Sequence, residues 1–202
     1  MNFCVCPPFS APKSDTDLVI FPPQKEYMQE WEAKTFLEKA AAFAKENGIW
    51  VLTPAFSLGE HLVVCLINQA GKRALLQRAC RLTPALRGSY QPFDSLQAVE
   101  TPFGKLMILW DVDVYDPALT DRAVQEHCDA IVSVQYIPDV DFSKERILFG
   151  AWRASQQTGL PVLNVSNQGV CVTEPCKALP QNGSLNGFLF PFTDRLPFEG
   201  TV

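Results

Sequence analysis

The decapeptide Thr101-Pro-Phe-Gly-Lys-Leu-Met-Ile-Leu-Trp110 joins a turn to one of the longest apolar runs of the chain. Proline and glycine close together are typical of turns, and a short apolar run bounded by a turn predicts a buried β-strand over Lys105–Trp110. Another strand is predicted just before the turn, near Gln97–Glu100. The stretch therefore predicts two consecutive strands, the second of them buried.

Helices and further strands alternate on both sides of this stretch. Downstream, Asp116 and Pro117 suit the N-cap and first position of a helix. Upstream, apolar residues recur at helical spacing between residues 27 and 47, and Asn68-Gln-Ala-Gly71 predicts a hairpin turn. Strands that alternate with helices, together with a hairpin, predict an α/β or α+β sandwich. The length of 202 residues favours a single domain, 1–202.

Composition and charge argue against two classes of binding partner. Apolar residues make up 47% of the chain, and 17 Lys+Arg against 22 Asp+Glu give a net charge of −5. Surfaces that bind nucleic acid or anionic membranes are basic, so neither partner is expected. No apolar run is long enough to cross a bilayer and no secretory signal is visible, so the expected location is cytoplasmic.

The common cofactor and metal motifs do not occur in the sequence. Neither glycine-rich phosphate cradle is present, so no cofactor is predicted. The carboxylates of Asp111-Val-Asp-Val-Tyr-Asp116 could bind a hard cation, but they lack the glycine and distal glutamate of a calcium loop. The two histidines, His61 and His127, lack ligand spacing. No metal site is therefore predicted, and most of the seven cysteines are expected to be free thiols.

Four stretches in order carry a family resemblance: Asp17-Leu-Val-Ile-Phe-Pro22, Asn68-Gln-Ala-Gly71 with Leu76-Gln-Arg78, Thr101–Trp110 with Asp113, and Trp152-Arg-Ala154 with Leu160–Asn164. They are similar to ADLVVFPE, DPDGEIVGKYRK, TPFGRIGLLICYDLRFPEL and RARAIENxxYVVxAN of the nitrilase superfamily, the carbon–nitrogen hydrolases. The resemblance implies a four-layer α-β-β-α sandwich. It also implies cleavage of amide or nitrile C–N bonds by a glutamate base, a lysine and a cysteine nucleophile.

The chain departs from the family at all three catalytic positions. The glutamate position, after Phe21-Pro22, holds Pro23; the lysine position holds Ala79; and the cysteine position holds Asp111. Proline and alanine cannot move protons, and a carboxylate is a far poorer nucleophile toward an amide than a thiolate. Loss of such a catalytic unit can cost about 10⁶-fold in rate.

The chain is also short of one family element, the first helix. Only the proline-rich segment 7–16 lies where that helix would stand between the first two strands. Part of one sheet is then expected to be bare, and bare apolar surface is usually buried by a partner. A homodimer or higher homo-oligomer is therefore expected.

A candidate pocket follows from the resemblance and from neighbouring ionisable groups. Its members are Asp111, Asp113, Arg78, Trp110, Glu26, Lys25 and Trp152. Asp111 either contacts a ligand, such as a cation or amine, or pairs with an arginine. The candidate arginines are Arg78, Arg81 and Arg153.

These residues are compatible with two functions. The first is a degenerate nitrilase-superfamily protein, a pseudoenzyme that serves as a small-molecule-binding, regulatory or assembly subunit. The second is an active carbon–nitrogen hydrolase that uses Asp111 with Glu26 or Lys25 in place of the usual groups.

Overall fold

Two β-sheets lie face to face and carry helices on their outer sides. A computed structural model describes residues 1–12, 15–139, 144–175, 192–193 and 196–202. In chain order the strands are β1 Asn2–Val5, β2 Leu18–Ile20, β3 Trp50–Leu52, β4 Phe56–Leu58, β5 His61–Ile67, β6 Arg73–Arg78, β7 Ala98–Thr101, β8 Gly104–Trp110, β9 Ala130–Gln135, β10 Val162–Ser166, β11 Gly169–Thr173, β12 Phe192–Thr193 and β13 Phe198–Thr201. The α-helices are α1 Glu30–Asn47, α2 Pro117–Gln125 and α3 Lys144–Thr158, and a 3₁₀ helix spans Asp111–Tyr115.

Each sheet has a parallel centre and antiparallel margins. The first sheet has the order β13-β1-β2-β3-β5-β4, with β6 also paired to β5, and the second has the order β12-β11-β10-β9-β8-β7. Strands β1, β2 and β3 are parallel, and so are β8, β9 and β10. The predicted turn at Asn68–Gly71 joins the antiparallel pair β5 and β6. A strand predicted over Leu185–Phe190 lies outside the described residues.

From residue 106 to residue 110 strand β8 is continuously apolar because both of its faces are buried. Leu106, Ile108 and Trp110 belong to the core between the two sheets, whereas Met107 and Leu109 belong to the core beneath α2 and α3. All five side chains are at most 1% exposed. Strands covered on both faces read as continuous apolar runs, which is why this stretch identified a buried strand.

Three apolar layers separate four layers of secondary structure. One core lies between the sheets, one lies between the second sheet and α2 with α3, and one lies between the first sheet and α1. This arrangement confirms the predicted α-β-β-α sandwich. Only α1 covers the first sheet among the helices of the described chain.

The turn between β7 and β8 requires a glycine. Thr101 pairs with Gly104, so Pro102 and Phe103 form a two-residue loop. Gly104 has φ of 124°, and a Cβ there would lie 2.9 Å from a carboxylate oxygen of Asp129. That carboxylate accepts the N–H of Lys105 at 2.7 Å, and it thereby ties the start of β8 to the start of β9. The close approach of Asp129 leaves no room for a side chain at position 104.

The expectation that part of the first sheet would be bare is wrong for the described residues. In the segment between β1 and β2 they form no helix, but the outward-facing Cys4, Cys6 and Val19 are at most 1% exposed. Phe9 has a left-handed backbone, with φ of 65°. Its ring lies 5.3 Å from that of Phe21 and also contacts aromatic rings of α1. The loop therefore covers part of the surface that a helix would cover.

Replacing Phe9 with alanine tests this covering role. We expect Phe9→Ala to lower the free energy of unfolding by about 2–3 kcal/mol, because three aromatic contacts and the buried part of the ring are lost. Phe149→Ala is the matched control, since Phe149 is 55% exposed on α3; its effect should stay within about 0.5 kcal/mol. Urea denaturation gives both values, and equal losses would contradict the role of Phe9.

Candidate functional site

The three catalytic positions that the family resemblance implies follow the ends of three strands. Pro23 lies three residues after β2, Ala79 directly follows β6, and Asp111 directly follows β8. All three residues are buried. β2 and β6 run in the same direction, because β2 and β3 are parallel and two antiparallel pairings lead from β3 through β5 to β6. The ends of β2 and β6 therefore point toward the same edge of the first sheet.

The Asp113 carboxylate joins the end of β6 to the turn after β8. It accepts the N–H of Arg81 at 2.6 Å, the N–H of Cys80 at 3.2 Å and the N–H of Trp110 at 3.4 Å. Asp113 is fully buried, and burial raises its pKa to about 7 even though these three N–H groups favour the ionised form. It holds backbone rather than facing a ligand, and it brings positions 79 and 111 to one end of the sandwich.

Asp111 sits in a strained turn with one oxygen unused. It opens the 3₁₀ helix with φ of 46°, a left-handed conformation that is rare outside glycine and clusters at functional sites. Gln135 donates a hydrogen bond to its carbonyl oxygen at 3.2 Å. The side chain is 5% exposed, and its Oδ1 has no hydrogen-bond partner. Burying a carboxylate oxygen without a hydrogen-bond donor costs free energy of folding. The unpaired Oδ1 therefore requires a physical explanation.

The surroundings of Asp111 contain both signs of charge. Burial raises the pKa of Asp111 to about 7; the cationic Arg146 lowers it, and the nearby Glu26 carboxylate raises it further. Glu26 is half-buried, and burial raises its pKa as well. The structure therefore brings together Asp111 and Glu26, two of the predicted residues, and adds an arginine that the sequence did not indicate.

Lys25 is directed away from this site. Its ammonium lies 2.6 Å from Glu32 in the first turn of α1, and Glu32 also accepts the N–H of Gln29 at 2.8 Å. Met28 is tied to the first sheet, because its N–H bonds Ala55 and its carbonyl accepts from Ser57. These contacts fix the segment that follows Glu26, and the described ion pair of Lys25 is with Glu32 and not with Asp111.

Aromatic residues flank the Glu26 side of the site. The rings of Tyr27 and Tyr90 lie 5.2 Å apart in an edge-on contact. Burial raises the pKa of Tyr90 to about 12, and the Tyr27 hydroxyl and the Glu26 charge raise it further. Tyr90 also lines a cavity of about 420 Å³ formed by residues of the 80–94 segment, among them Arg81, Arg87 and Asp94.

The remaining candidates lie elsewhere. Trp110 is 1% exposed in the core between the sheets. Arg78 stacks 4.4 Å over the ring of Phe93 and lines a separate cavity of about 320 Å³. Trp152 contacts the exposed Phe149 on α3. None of these three has a described contact with Asp111.

The predicted arginine partners of Asp111 were wrong. Arg81 pairs with Asp116 at 2.6 Å, Arg153 donates to the carbonyl of Tyr115, and Arg78 lies over Phe93. The cation whose charge acts on Asp111 is Arg146 of α3. The Tyr115 hydroxyl holds this residue in place by donating to its carbonyl at 2.9 Å.

Sequence reasoning missed Arg146, Tyr115 and Gln135. Tyr115 lies four residues after Asp111 in the same 3₁₀ helix, whereas Arg146 and Gln135 come from α3 and β9. No local motif links these positions, so only the packing of α3 against the 3₁₀ helix reveals them.

No described thiol stands ready as a nucleophile. Cys80, next to Ala79, is fully buried in the core under α2 and α3 and faces away from the Ala79 side. Burial raises its pKa to about 12, and that of Cys171 to about 12. A thiol must ionise to attack, so neither residue is reactive near neutral pH. Within the described ranges no group of three metal-ligating side chains occurs, and no helix is long and apolar enough to span a bilayer.

Comparison with solved structures identifies the fold. A cysteine-to-alanine variant of the amidase from Nesterenkonia AN1, of the nitrilase superfamily, matches with a TM-score of 0.71 and 10% identity over 86% of this chain and 82% of that chain. An amidase from Nesterenkonia sp. matches with a TM-score of 0.69 and 12% identity over 86% of this chain and 82% of that chain. No family model and no curated protein matches the sequence. The chain therefore has the nitrilase-superfamily fold.

The raised pKa of Asp111 predicts a pH-dependent stability. Its folded pKa of about 7 exceeds the ordinary value of 3.8, so the folded state binds the proton more tightly and loses stability as pH rises through 7. Between pH 6 and 8, Asp111→Asn should remove about 1 kcal/mol of this loss, as measured by urea denaturation. Glu38→Gln, at an exposed position of α1, should leave the slope unchanged. An unchanged slope in Asp111→Asn would contradict the assignment.

Proposed function

We propose that this protein binds a small molecule at Asp111 and lacks the thiol-based hydrolysis of amides. The observation that carries the proposal is the residue after β8: a buried carboxylate with a free Oδ1 stands where the resemblance implies a cysteine nucleophile. Such a protein would act as a ligand-binding, regulatory or assembly subunit.

The environment of the site supports binding over nucleophilic attack. Burial raises the pKa of Cys80, the thiol next to Ala79, to about 12, so this group is almost entirely un-ionised at pH 7. Pro23 and Ala79 supply neither a base nor a cation. The fold resembles amidases at 10–13% identity, a level at which activity does not follow from the fold.

A second function has one specific observation in its favour. Burial raises the pKa values of both Asp111 and Glu26, and the Glu26 charge contributes to the shift at Asp111; carboxylates of this kind can act as general acid and base. An active carbon–nitrogen hydrolase built on these two groups is therefore the alternative. Lys25 pairs with Glu32 and is not one of the groups of this alternative.

A hydrolysis assay separates the two functions. Purified protein is incubated with small amides, nitriles and carbamyl compounds, and released ammonia or acid is measured. We expect no turnover above the uncatalysed rate, because the thiolate, the base and the oxyanion-stabilising lysine are all missing at the three strand ends. Turnover abolished by Asp111→Asn or Glu26→Gln would overturn the proposal and support the carboxylate enzyme.

Cys80→Ala is the matched control for this assay. It removes the nearest thiol and leaves both carboxylates in place. Turnover that vanished in this variant alone would indicate a displaced cysteine nucleophile, contrary to both functions.

Homo-oligomerisation and a cytoplasmic location remain predictions that accompany the proposal. Sedimentation at micromolar concentration tests the first, and a species at the monomer mass of 22.5 kDa would count against it.

A further inference from the structure

We propose that the ligand of this site is an organic amine whose protonated ammonium group binds the free Oδ1 of Asp111. This inference rests on the proposed binding function and adds the chemical class of the ligand. Nothing in it requires a covalent step, since the ligand binds and leaves unchanged.

The first support is the unused hydrogen-bonding capacity of Asp111. Its side chain is 5% exposed, and Oδ1 has no partner although nearly every buried polar atom in proteins has one. The hydrogen bond from Gln135 to the carbonyl oxygen holds the left-handed backbone of Asp111 in place. A ligand N–H would satisfy this atom, as an ammonium carries three donors and no acceptor.

The second support is the balance of charge around the carboxylate. Arg146 on α3 and Glu26 before α1 act on the charge of Asp111, and the Asp111 charge in turn acts on Asp113 and Tyr115 of the 3₁₀ helix. The Asp113 carboxylate accepts three backbone N–H groups, which hold it in place without cancelling its charge. In the described part of the site three carboxyl groups, those of Asp111, Glu26 and Asp113, accompany the cation of Arg146, and their ionisation leaves negative charge in excess.

An excess of negative charge selects among ligands. An ammonium offsets part of this charge, a neutral alcohol or amide leaves it in place, and a carboxylate adds a further negative charge to a poorly solvated site. Like charges at short range in such a site strongly disfavour binding. The site therefore discriminates for cations and against anions.

Binding of an ammonium also changes the proton occupancy of Asp111. In the free protein the carboxyl holds its proton during part of the time near neutral pH, because burial favours the neutral form. A bound cation favours the carboxylate, so binding releases a proton and the affinity rises with pH between about 6 and 8. Above that range the carboxylate is already ionised and the rise levels off.

Calorimetry with matched probes tests the inference. The full chain is titrated with n-alkylamines from ethylamine to hexylamine and with the alcohol, amide and carboxylate of each chain length. We expect the best amine to bind at least tenfold more tightly than its three counterparts. Its affinity should rise severalfold from pH 6 to pH 8, and the heats in buffers of different ionisation enthalpy should report a released proton.

Two variants connect the result to the site. Asp111→Asn should weaken amine binding at least tenfold and abolish the pH dependence, whereas Glu26→Gln should weaken it severalfold and keep the dependence. Glu38→Gln, at its exposed position on α1, should change neither. A circular dichroism spectrum and a urea transition establish that each variant is folded, and Glu26→Gln keeps the test available if Asp111→Asn is not.

The outcomes distinguish this inference from the function on which it rests. An amide, alcohol or carboxylate that binds as tightly as the amine, and loses affinity in Asp111→Asn, would overturn the amine assignment and leave the binding function standing. Absence of binding by every probe would overturn the amine assignment and remove the support for a binding site at Asp111. Amine binding that survives Asp111→Asn would overturn the inference directly.

Discussion

The hydrogen bonds to the Asp113 carboxylate determine how the two sheets meet at the site. Apolar packing between sheets has no direction and by itself leaves their relative position loosely specified. Asp113 adds direction, because its oxygens accept N–H groups from Cys80 and Arg81 after β6 and from Trp110 at the end of β8. Strands from different sheets are thereby held end to end. The positions of Ala79 and Asp111, and with them the character of the site, depend on this one buried carboxylate.

The chemistry of the buried turn after β8 depends on which side chain stands at position 111. A thiol needs a nearby base or cation to ionise, and the neighbouring strand ends here offer proline and alanine. A carboxyl group at Asp111 is ionisable without such help, but its burial shifts the equilibrium toward the protonated form. The turn is strained, with φ of 46° at Asp111, and the side chain that it carries is a buried proton-exchanging carboxyl group.

The sequence predicted the framework because each strong pattern had a local cause. The run ending at Trp110 is apolar since both faces of β8 are covered, and Asp116 caps α2 by accepting the N–H of Ala118 at 2.9 Å. Short strands such as β4 and β13 carry too few residues for a periodic signal. Tertiary packing determines that Arg146, and not one of the predicted arginines, acts on Asp111. It also determines the covering role of Phe9. Spacing along the chain contains no information about either.

The Lys25–Glu32 pair and the backbone bonds of Met28 have a kinetic consequence. They hold the segment after Glu26 against α1 and β4, and the prolines at 22 and 23 restrict the segment before it. Glu26 is consequently positioned before any ligand arrives, and little conformational entropy remains to be lost on association. Encounter would then be limited by access to the site rather than by loop rearrangement, and differences among ligands would show mainly in their rates of departure.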